Sequence, residues 1–129
     1  DIPFDFPKPS ALIKFLMTLC GVREGEITLD FFAGSCSTAH AALELSKETG
    51  ESKPFICVQL PEPTGEGSEE AKQGFHTIAD IGKERIRRIS AKLQEDYPDI
   101  NTDGGFRVYK LNESCFRQWE GDVAGLSEE

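Results

Sequence analysis

The stretch from residue 27 to 60 constrains the fold most, because it contains a strand, a turn of small residues, a helix and a second strand. The first strand, 27–32, is rich in β-branched and aromatic residues, and the turn 33–38 follows it directly. A helix rich in Ala and Leu then runs to Gly50, and the second strand covers 54–60. A unit of about 35 residues with this order is typical of a right-handed crossover between parallel strands. The sequence therefore predicts an α/β fold.

Further elements flank this unit on both sides. A helix with an apolar face begins at Ser10, a good N-cap, and ends at Gly21. Thr77 and Asp80 resemble a capping box that opens a long helix with an apolar stripe. The alternating residues 106–111 predict a half-exposed strand. Because the strand 54–60 is apolar on both faces, the predicted sheet lies between two helical layers.

The remaining segments are polar. Residues 61–76 are rich in Pro, Gly, Glu and Ser and predict a flexible surface loop. Residues 117–129 form a tail, and its acidic end, Ser127-Glu128-Glu129, is expected to fray. On the helix that ends at Gly50, the charged side chains are expected to face water; they are Glu44, Lys47 and Glu48. The 129 residues fit one domain, and the start at Asp1 suggests a piece of a longer protein.

Charge and cysteine content exclude several classes of function. Fourteen basic against 23 acidic residues give a net charge of -9, the wrong sign for a domain that holds nucleic acid unaided. No apolar run approaches the ~20 residues that cross a bilayer, so no membrane association is predicted. The four cysteines contain no C-x-x-C pair, so no metal site is predicted. Cys20 and Cys57 have apolar neighbours and are predicted to be buried, reduced thiols of a cytoplasmic protein.

The turn after the first strand is the candidate ligand site. Ligands of open α/β sheets bind beyond the carboxyl ends of the strands, and Gly34 permits a close approach to the backbone. No Lys follows the turn as in a phosphate-binding loop, and the glycine pattern is poor for a dinucleotide. From spacing alone, a plain turn without a ligand stays an open alternative. Lone histidines and the Arg85 to Arg88 face are interpreted as structural or solvated.

Several segments in fixed order carry a resemblance. They are Phe6-Pro7-Lys8-Pro9, then Leu29-Asp30-Phe31-Phe32-Ala33-Gly34-Ser35 with Thr38-Ala39-His40-Ala41, then Phe55-Ile56-Cys57-Val58-Gln59-Leu60-Pro61-Glu62, and then segments near 77–88 and 105–114. Together they resemble the DNA amino-methyltransferases, and in particular the modification subunit of type III restriction-modification systems, which methylates adenine N6. The resemblance covers residues 4 to 116 and implies a partial Rossmann-like methyltransferase fold with three α/β/α layers.

The resemblance also implies a pocket for S-adenosylmethionine. Lys8 and Pro9 then belong to the segment at the methionine end, and the turn around the cofactor comprises Asp30, Phe32, Ala33 and Gly34. The methionine moiety carries a carboxylate, an ammonium and a sulfonium, which call for backbone donors, oxygen acceptors and an aromatic wall. Asp30 can supply the negative group and Phe32 the wall, although Asp30 as a cap of the next helix is the alternative.

The ribose of the cofactor calls for an acceptor near the end of the second strand. Two acceptor oxygens match two vicinal hydroxyl donors, and family members usually place an acidic residue there. By resemblance Glu62 is the first candidate and Gln59 the second. A solvent-exposed Glu62 without a ligand is the alternative.

Two departures from the family pattern leave other functions open. Cys36 stands where the family's turn has a third small residue, glycine, and is expected to place a side chain where backbone meets the ligand. No Asp-Pro-Pro-Tyr motif occurs, so no catalytic residue is assigned here. DNA would be bound through other parts of the protein, and a restriction subunit and a second modification subunit are the expected partners. The alternatives are an inactive or truncated module that assembles with a restriction subunit, and a domain for a nicotinamide cofactor.

Overall fold

The computed structural model describes residues 7–113, which contain both strands of the predicted crossover. Along the chain the elements are α1 (Ser10–Leu19), β1 (Thr28–Asp30), α2 (Ser37–Thr49), β2 (Phe55–Cys57), α3 (Glu69–Lys72) and α4 (Ile78–Asp96). The two strands pair in parallel, with Thr28 opposite Phe55 and Asp30 opposite Cys57. The predicted α/β fold is confirmed. Within residues 7–113 there is no helix with the length and apolar character that crossing a membrane requires.

Both strands are shorter than predicted. The chain turns away from the sheet directly after Asp30, so the ladder ends at the pair of Asp30 and Cys57. The Asp30 carboxylate accepts a hydrogen bond from the Phe32 amide at 3.1 Å, a local bond that bends the backbone. Two backbone bonds continue past the ladder: the Val58 amide donates to the Asp30 carbonyl, and the Ala33 amide donates to the Val58 carbonyl. The turn after β1 is therefore attached to the neighbouring strand.

α2 is the central helix of the domain. On one side it packs against α1 through Ala41, Ala42 and Leu45, and on the other Ala39 and Leu43 join a cluster with α4. Alanine side chains let the neighbouring helices approach closely, because helix separation depends on the side chains at the contact. The helix ends as predicted at Gly50, which adopts a left-handed φ of 71°.

One charged residue of α2 does not face water as predicted. Lys47 is only 3% exposed, and its ammonium donates a hydrogen bond to the Ile100 carbonyl at 2.6 Å. The acceptor is a backbone carbonyl in the segment that follows α4, and the aliphatic part of the lysine side chain is buried. Glu44 is partly buried and Glu48 is exposed. The prediction was wrong for Lys47 because its acceptor is 53 residues away in sequence.

The sheet has one covered face and one open face. Thr28, Asp30, Phe55 and Cys57 are partly buried on the side of α2, as the alternation of strand side chains requires. On the other side, Leu29 is 57% and Ile56 is 48% exposed. Residues 7–113 thus place a helical layer on one face of the sheet only, and the predicted second layer stays a prediction.

α4 begins at the predicted capping box. The Thr77 hydroxyl accepts a bond from the Asp80 amide, and the Asp80 carboxylate accepts one from the Thr77 amide. The apolar stripe of the helix is buried against α2 and the turn after β1; it comprises Ile81, Ile86, Ile89 and Leu93. The helix stops at Asp96, just before Pro98.

Two end positions of α1 differ from the prediction. The N-cap is Pro9, whose carbonyl accepts bonds from the Leu12 and Ile13 amides, so Ser10 is the first helical residue and caps nothing. Cys20 is the C-cap and is exposed, because the buried face of the helix ends at Met17. The prediction of a buried Cys20 was wrong. Gly21 follows with a left-handed φ of 68°, as expected at a helix end.

The later segments depart further from the predictions. The segment 61–76, predicted as a flexible loop, contains α3 and is closed at its ends by a bridge between Pro63 and Thr77. The predicted strand 106–111 is absent, because no hydrogen bond joins it to β1 or β2 within the described residues. Its Phe106 packs against the core cluster of α4. The predicted tail 117–129 lies outside the described residues.

Candidate cofactor-binding site

Asp30, at the end of β1, ties the strand to the first turn of α2. One carboxylate oxygen accepts the Phe32 amide, and the other accepts the Thr38 hydroxyl at 2.6 Å. The N-cap of α2 is Cys36, with no side-chain cap, so Asp30 does not cap the helix backbone. Carboxylate oxygens have spare acceptor capacity beyond these two bonds. Asp30 therefore shapes the turn and still presents a negative charge there.

Gly34 and Gln59 connect the ends of the two strands. The Gly34 amide donates a hydrogen bond to Oε1 of Gln59 at 2.8 Å, and Gly34 has a left-handed φ of 51°. The Gln59 amide group donates in turn to the Leu60 carbonyl at 3.2 Å. The Gln59 side chain, the second candidate acceptor for the ribose hydroxyls, thus holds the turn in place.

The two aromatic residues of the turn project outward. Phe32 is 83% exposed, and its ring lies 5.2 Å from that of Phe31 with an angle of 56° between the planes. Ala33 points the other way, because its side chain is buried in the core cluster with Leu43 and Ile86. The turn therefore offers an aromatic face beside the Gly34 backbone.

Cys36 does not block the outer side of the turn. Its φ of 60° is left-handed, and its side chain is 7% exposed and belongs to the core cluster. The cluster accommodates it because Gly82 of α4 has no side chain: a Cβ there would lie 2.6 Å from the Cys36 sulfur. The expectation that this side chain would stand at the ligand face was wrong, since the left-handed backbone turns it inward.

The other predicted site residues are less closely connected. Glu62 is exposed and follows β2 at the same edge of the sheet, and its carbonyl accepts the Ile78 amide at the start of α4. Lys8 and Pro9 are exposed, and within residues 7–113 none of their hydrogen bonds reaches the turn. The structure thus brings five predicted residues together; they are Asp30, Phe32, Ala33, Gly34 and Gln59.

Sequence reasoning missed polar residues behind the turn. Arg85, predicted on a solvated face, reaches across to donate to the Ser37 hydroxyl at 3.2 Å, and burial lowers the pKa of its guanidinium. His40 is partly buried beside Glu44, and burial lowers the pKa of its imidazole. Neither position carries a signal in the sequence. Thr38 does, because a hydroxyl side chain at the start of a helix often bonds to the preceding turn, as Thr38 does to Asp30.

Comparison with known proteins gives consistent relatives. Residues 3–96 match the family model described as DNA methylase. The chain is 43% identical over 109 residues to the type III restriction-modification enzyme EcoP15I Mod subunit of Escherichia coli, covering 84% of this chain and 16% of the relative. It is 40% identical over 111 residues to the StyLTI Mod subunit of Salmonella typhimurium, covering 86% and 17%. It is 34% identical over 99 residues to the type II methyltransferase M.KpnI of Klebsiella pneumoniae, covering 75% and 22%.

These matches confirm the resemblance to the modification subunits that the order of motifs indicated. The chain spans 17% and 16% of the length of the two type III relatives, so it corresponds to a part of them. The family match includes both strands, the turn between Asp30 and Cys36, and α4. The chain belongs to the DNA methylase family.

Proposed function

We propose that this chain is the S-adenosylmethionine-binding part of a site-specific DNA methyltransferase that acts on adenine N6 in a type III restriction-modification system. The observation that carries the proposal is the hydrogen bond between the Gly34 amide and Gln59. It joins the carboxyl ends of two parallel strands, where α/β sheets bind their ligands. The inward position of the Cys36 side chain leaves the outer face of this junction free for a ligand.

The exposed groups match the chemistry of the cofactor. The Phe32 ring is a surface for the sulfonium cation, since aromatic faces attract cations, and the Asp30 carboxylate adds negative charge beside it. Glu62, whose side chain is exposed, is the proposed acceptor for the two ribose hydroxyls. Gln59 positions the turn through Gly34. Lys8 and Pro9 are proposed for the methionine end on the family resemblance.

The open face of the sheet supports a larger, Rossmann-like domain with three layers. Leu29 and Ile56 lie opposite each other in the ladder and both are exposed, and Val58 continues the same apolar face. Burying such a face is favourable by about 25 cal/mol per Å² of apolar surface. Other parts of the polypeptide are the proposed cover, because the type III relatives are much longer than this chain.

The proposed reaction is in-line attack of the adenine amine on the sulfonium methyl group. No residue of this chain is assigned to the amine, because the sequence lacks the Asp-Pro-Pro-Tyr motif that holds it in the family. With a net charge of -9, the chain relies on other parts of the protein for DNA, and a restriction subunit and a second modification subunit are the proposed partners. A cytoplasmic location follows from these roles.

Calorimetric titration with S-adenosylhomocysteine, the demethylated product, tests the cofactor claim. We expect binding that Phe32→Ala and Glu62→Gln each weaken by about tenfold, the loss typical of one removed contact. Glu66→Gln is the matched control, because Glu66 is another exposed glutamate in the same loop. The absence of heat at millimolar ligand, or an equal loss for both glutamine variants, would refute the pocket as described.

The open apolar face also supports a second candidate, a module that assembles with a restriction subunit without binding the cofactor. This function requires Leu29 and Ile56 to lie at the subunit contact. Co-purification that is lost in Leu29→Asp, in a protein that gives no heat with the cofactor product, would favour it. Retained cofactor binding in the same variant would favour the methyltransferase.

A further inference from the structure

A cleft of about 500 Å³ lies between α2 and α4, and none of its lining residues belongs to the candidate cofactor site. It is open to solvent, because two of the side chains that line it, Arg88 and Lys92, are exposed. Its walls include His40 and Glu44 of α2, and Arg85, Arg88, Ile89 and Lys92 of α4.

The cleft concentrates positive charge on an acidic chain. Arg85, Arg88 and Lys92 follow one another at spacings of three and four residues, so they are neighbours on one face of α4. The row is about 10 Å long, because each helical residue rises about 1.5 Å. On the opposite wall the Glu44 carboxylate already contacts the Lys14 ammonium at 3.6 Å and Nε2 of His40 at 3.2 Å. The cleft is therefore cationic, although the net charge of the chain is -9.

The fold uses the polar groups of the cleft only in part. Arg85 donates from Nη1 to the Ser37 hydroxyl at 3.2 Å, whereas its Nε is buried and has no hydrogen-bond partner within residues 7–113. Nδ1 of His40 is likewise buried and unpartnered in that part of the chain. Native proteins leave few such atoms, and a bound ion is one way in which they are satisfied. Arg88 donates to Glu84 at 2.8 Å, but this pair is exposed and its loss costs little. The cleft is thus suited to an anion.

The row of cations fits a line of phosphates better than a single carboxylate. One arginine can hold a carboxylate through two parallel hydrogen bonds, so a lone acidic side chain would not need the whole row. Each strand of duplex DNA carries a phosphate about every 3.4 Å along the helix axis, and about three phosphates therefore fall within the length of the row. DNA is the polymer expected near this surface, because the chain belongs to the DNA methylase family.

We propose that the cleft between α2 and α4 holds backbone phosphates of DNA. The inference rests on the proposed function, in which the full-length protein acts on DNA, and adds a contact outside the cofactor pocket. Contacts to phosphates position the duplex and do not read its sequence, so the cleft contributes affinity and no choice of site. Other parts of the protein supply the remaining contacts, because this chain is acidic as a whole.

The salt dependence of DNA binding by the full-length protein tests the proposal. Fluorescence anisotropy with a labelled duplex gives the slope of log K against log salt concentration, which falls by about 1 for each phosphate contact that is lost. We expect Arg88→Gln and Lys92→Gln each to reduce the slope by about 1, and the double variant by about 2. Arg87→Gln is the matched control. It removes the same charge from the same helix, but Arg87 lies over the Phe106 ring, 5.9 Å from its centre, and is not part of the cleft.

An unchanged slope in the double variant would overturn the proposal. So would an equal decrease in Arg87→Gln, since the effect would then come from the overall charge. Calorimetry with inorganic phosphate separates the other source of this chemistry: heat that the double variant loses, together with an unchanged DNA slope, would assign the cleft to a free phosphate compound and overturn the DNA contact. If the parent protein does not bind DNA at any salt concentration, the proposed function fails as well, whereas DNA binding with the same slope in all variants refutes this inference alone.

Discussion

The two faces of the sheet contain similar residues but differ in their surroundings. On the covered face, Phe55 and Cys57 pack against the alanines of α2 and the isoleucines of α4. On the open face, Leu29 and Ile56 are about half exposed, although they are at least as apolar. Residue type alone therefore does not decide burial. What distinguishes the faces is the element that packs on them, and the crossover helix α2 can cover only one.

The candidate site lies between the two faces of the sheet. Asp30 lies on the covered side, where the Thr38 hydroxyl bonds to its carboxylate, while Phe32 lies beyond the strand end and is exposed. The candidate site thus lies at the rim where the covered and open surfaces meet. Such rims expose backbone amides of the turn, which accounts for ligands binding there in related architectures.

The largest expected effect comes from matched isoleucines that belong to the two regions. Ile86→Ala, at a residue 3% exposed in the covered cluster, should lower the free energy of unfolding by about 3 kcal/mol. Ile56→Ala, on the open face, should cost about 0.5 kcal/mol in this 129-residue chain. Urea denaturation of both variants measures the difference. Equal costs would show that another surface covers the open face in solution.

A smaller loss of stability is expected when the Asp30 carboxylate on the covered face is removed. Asp30→Ala removes the acceptor of the Phe32 amide and of the Thr38 hydroxyl, and should cost about 2 kcal/mol. Asp30→Asn keeps an acceptor oxygen and should cost less. Thermal unfolding of the two variants checks the order. If both variants lost the same stability, the charge rather than the hydrogen bonds would hold the turn.

The smallest effect concerns the start of α4, the helix that completes the covered side. The hydrogen bond from Lys83 and the bonds with Thr77 hold the pKa of Asp80 at about 2, below its ordinary value of 3.8. A carboxyl with a lowered folded pKa stabilises the protein above its unfolded pKa, and the contribution disappears as pH falls from about 4 to about 2. Its size is about 1 kcal/mol, because solvent screens a partly exposed carboxylate.

Melting temperatures measured between pH 6 and 2 check this effect. Asp80→Asn should have a lower melting temperature at pH 6 and a flatter decrease toward acid than the parent protein. Lys83→Met removes the largest cause of the lowered pKa and should narrow the difference between pH 6 and 2. An unchanged acid profile in Asp80→Asn would show that other carboxyl groups control acid unfolding.

Local patterns predicted much of the fold. The capping box at Thr77, the helix end at Gly50 and the parallel crossover all depend on residues close in sequence, and all were confirmed. The buried Lys47 was missed, because its acceptor at Ile100 is distant in sequence. The predicted strand 106–111 failed for a related reason, since alternation shows that a segment can be a strand but does not provide a partner.

The position of the turn at the candidate site was predicted, whereas its internal contacts were not. The turn around Asp30 and Gly34 was identified from small residues after a strand, and the structure joins it to Gln59. The internal use of the Gln59 side chain was not foreseen, nor was the inward direction of Cys36. The Gln59 bond depends on the left-handed backbone at Gly34. The direction of Cys36 depends on its own left-handed backbone and on the space left by Gly82, which lies in another helix.

The sequence by itself determined the strand, helix and strand order of residues 27–60, the helix caps at Thr77 and Gly50, and the position of the turn at the end of a strand, because each depends on contacts between near neighbours in the chain. The tertiary structure alone decided which face of the sheet is covered, that Lys47 is buried, and that the Cys36 side chain lies in the core cluster. These outcomes depend on which distant segments share the space around α2. Burial of a side chain depends on that packing, and no local pattern encodes it.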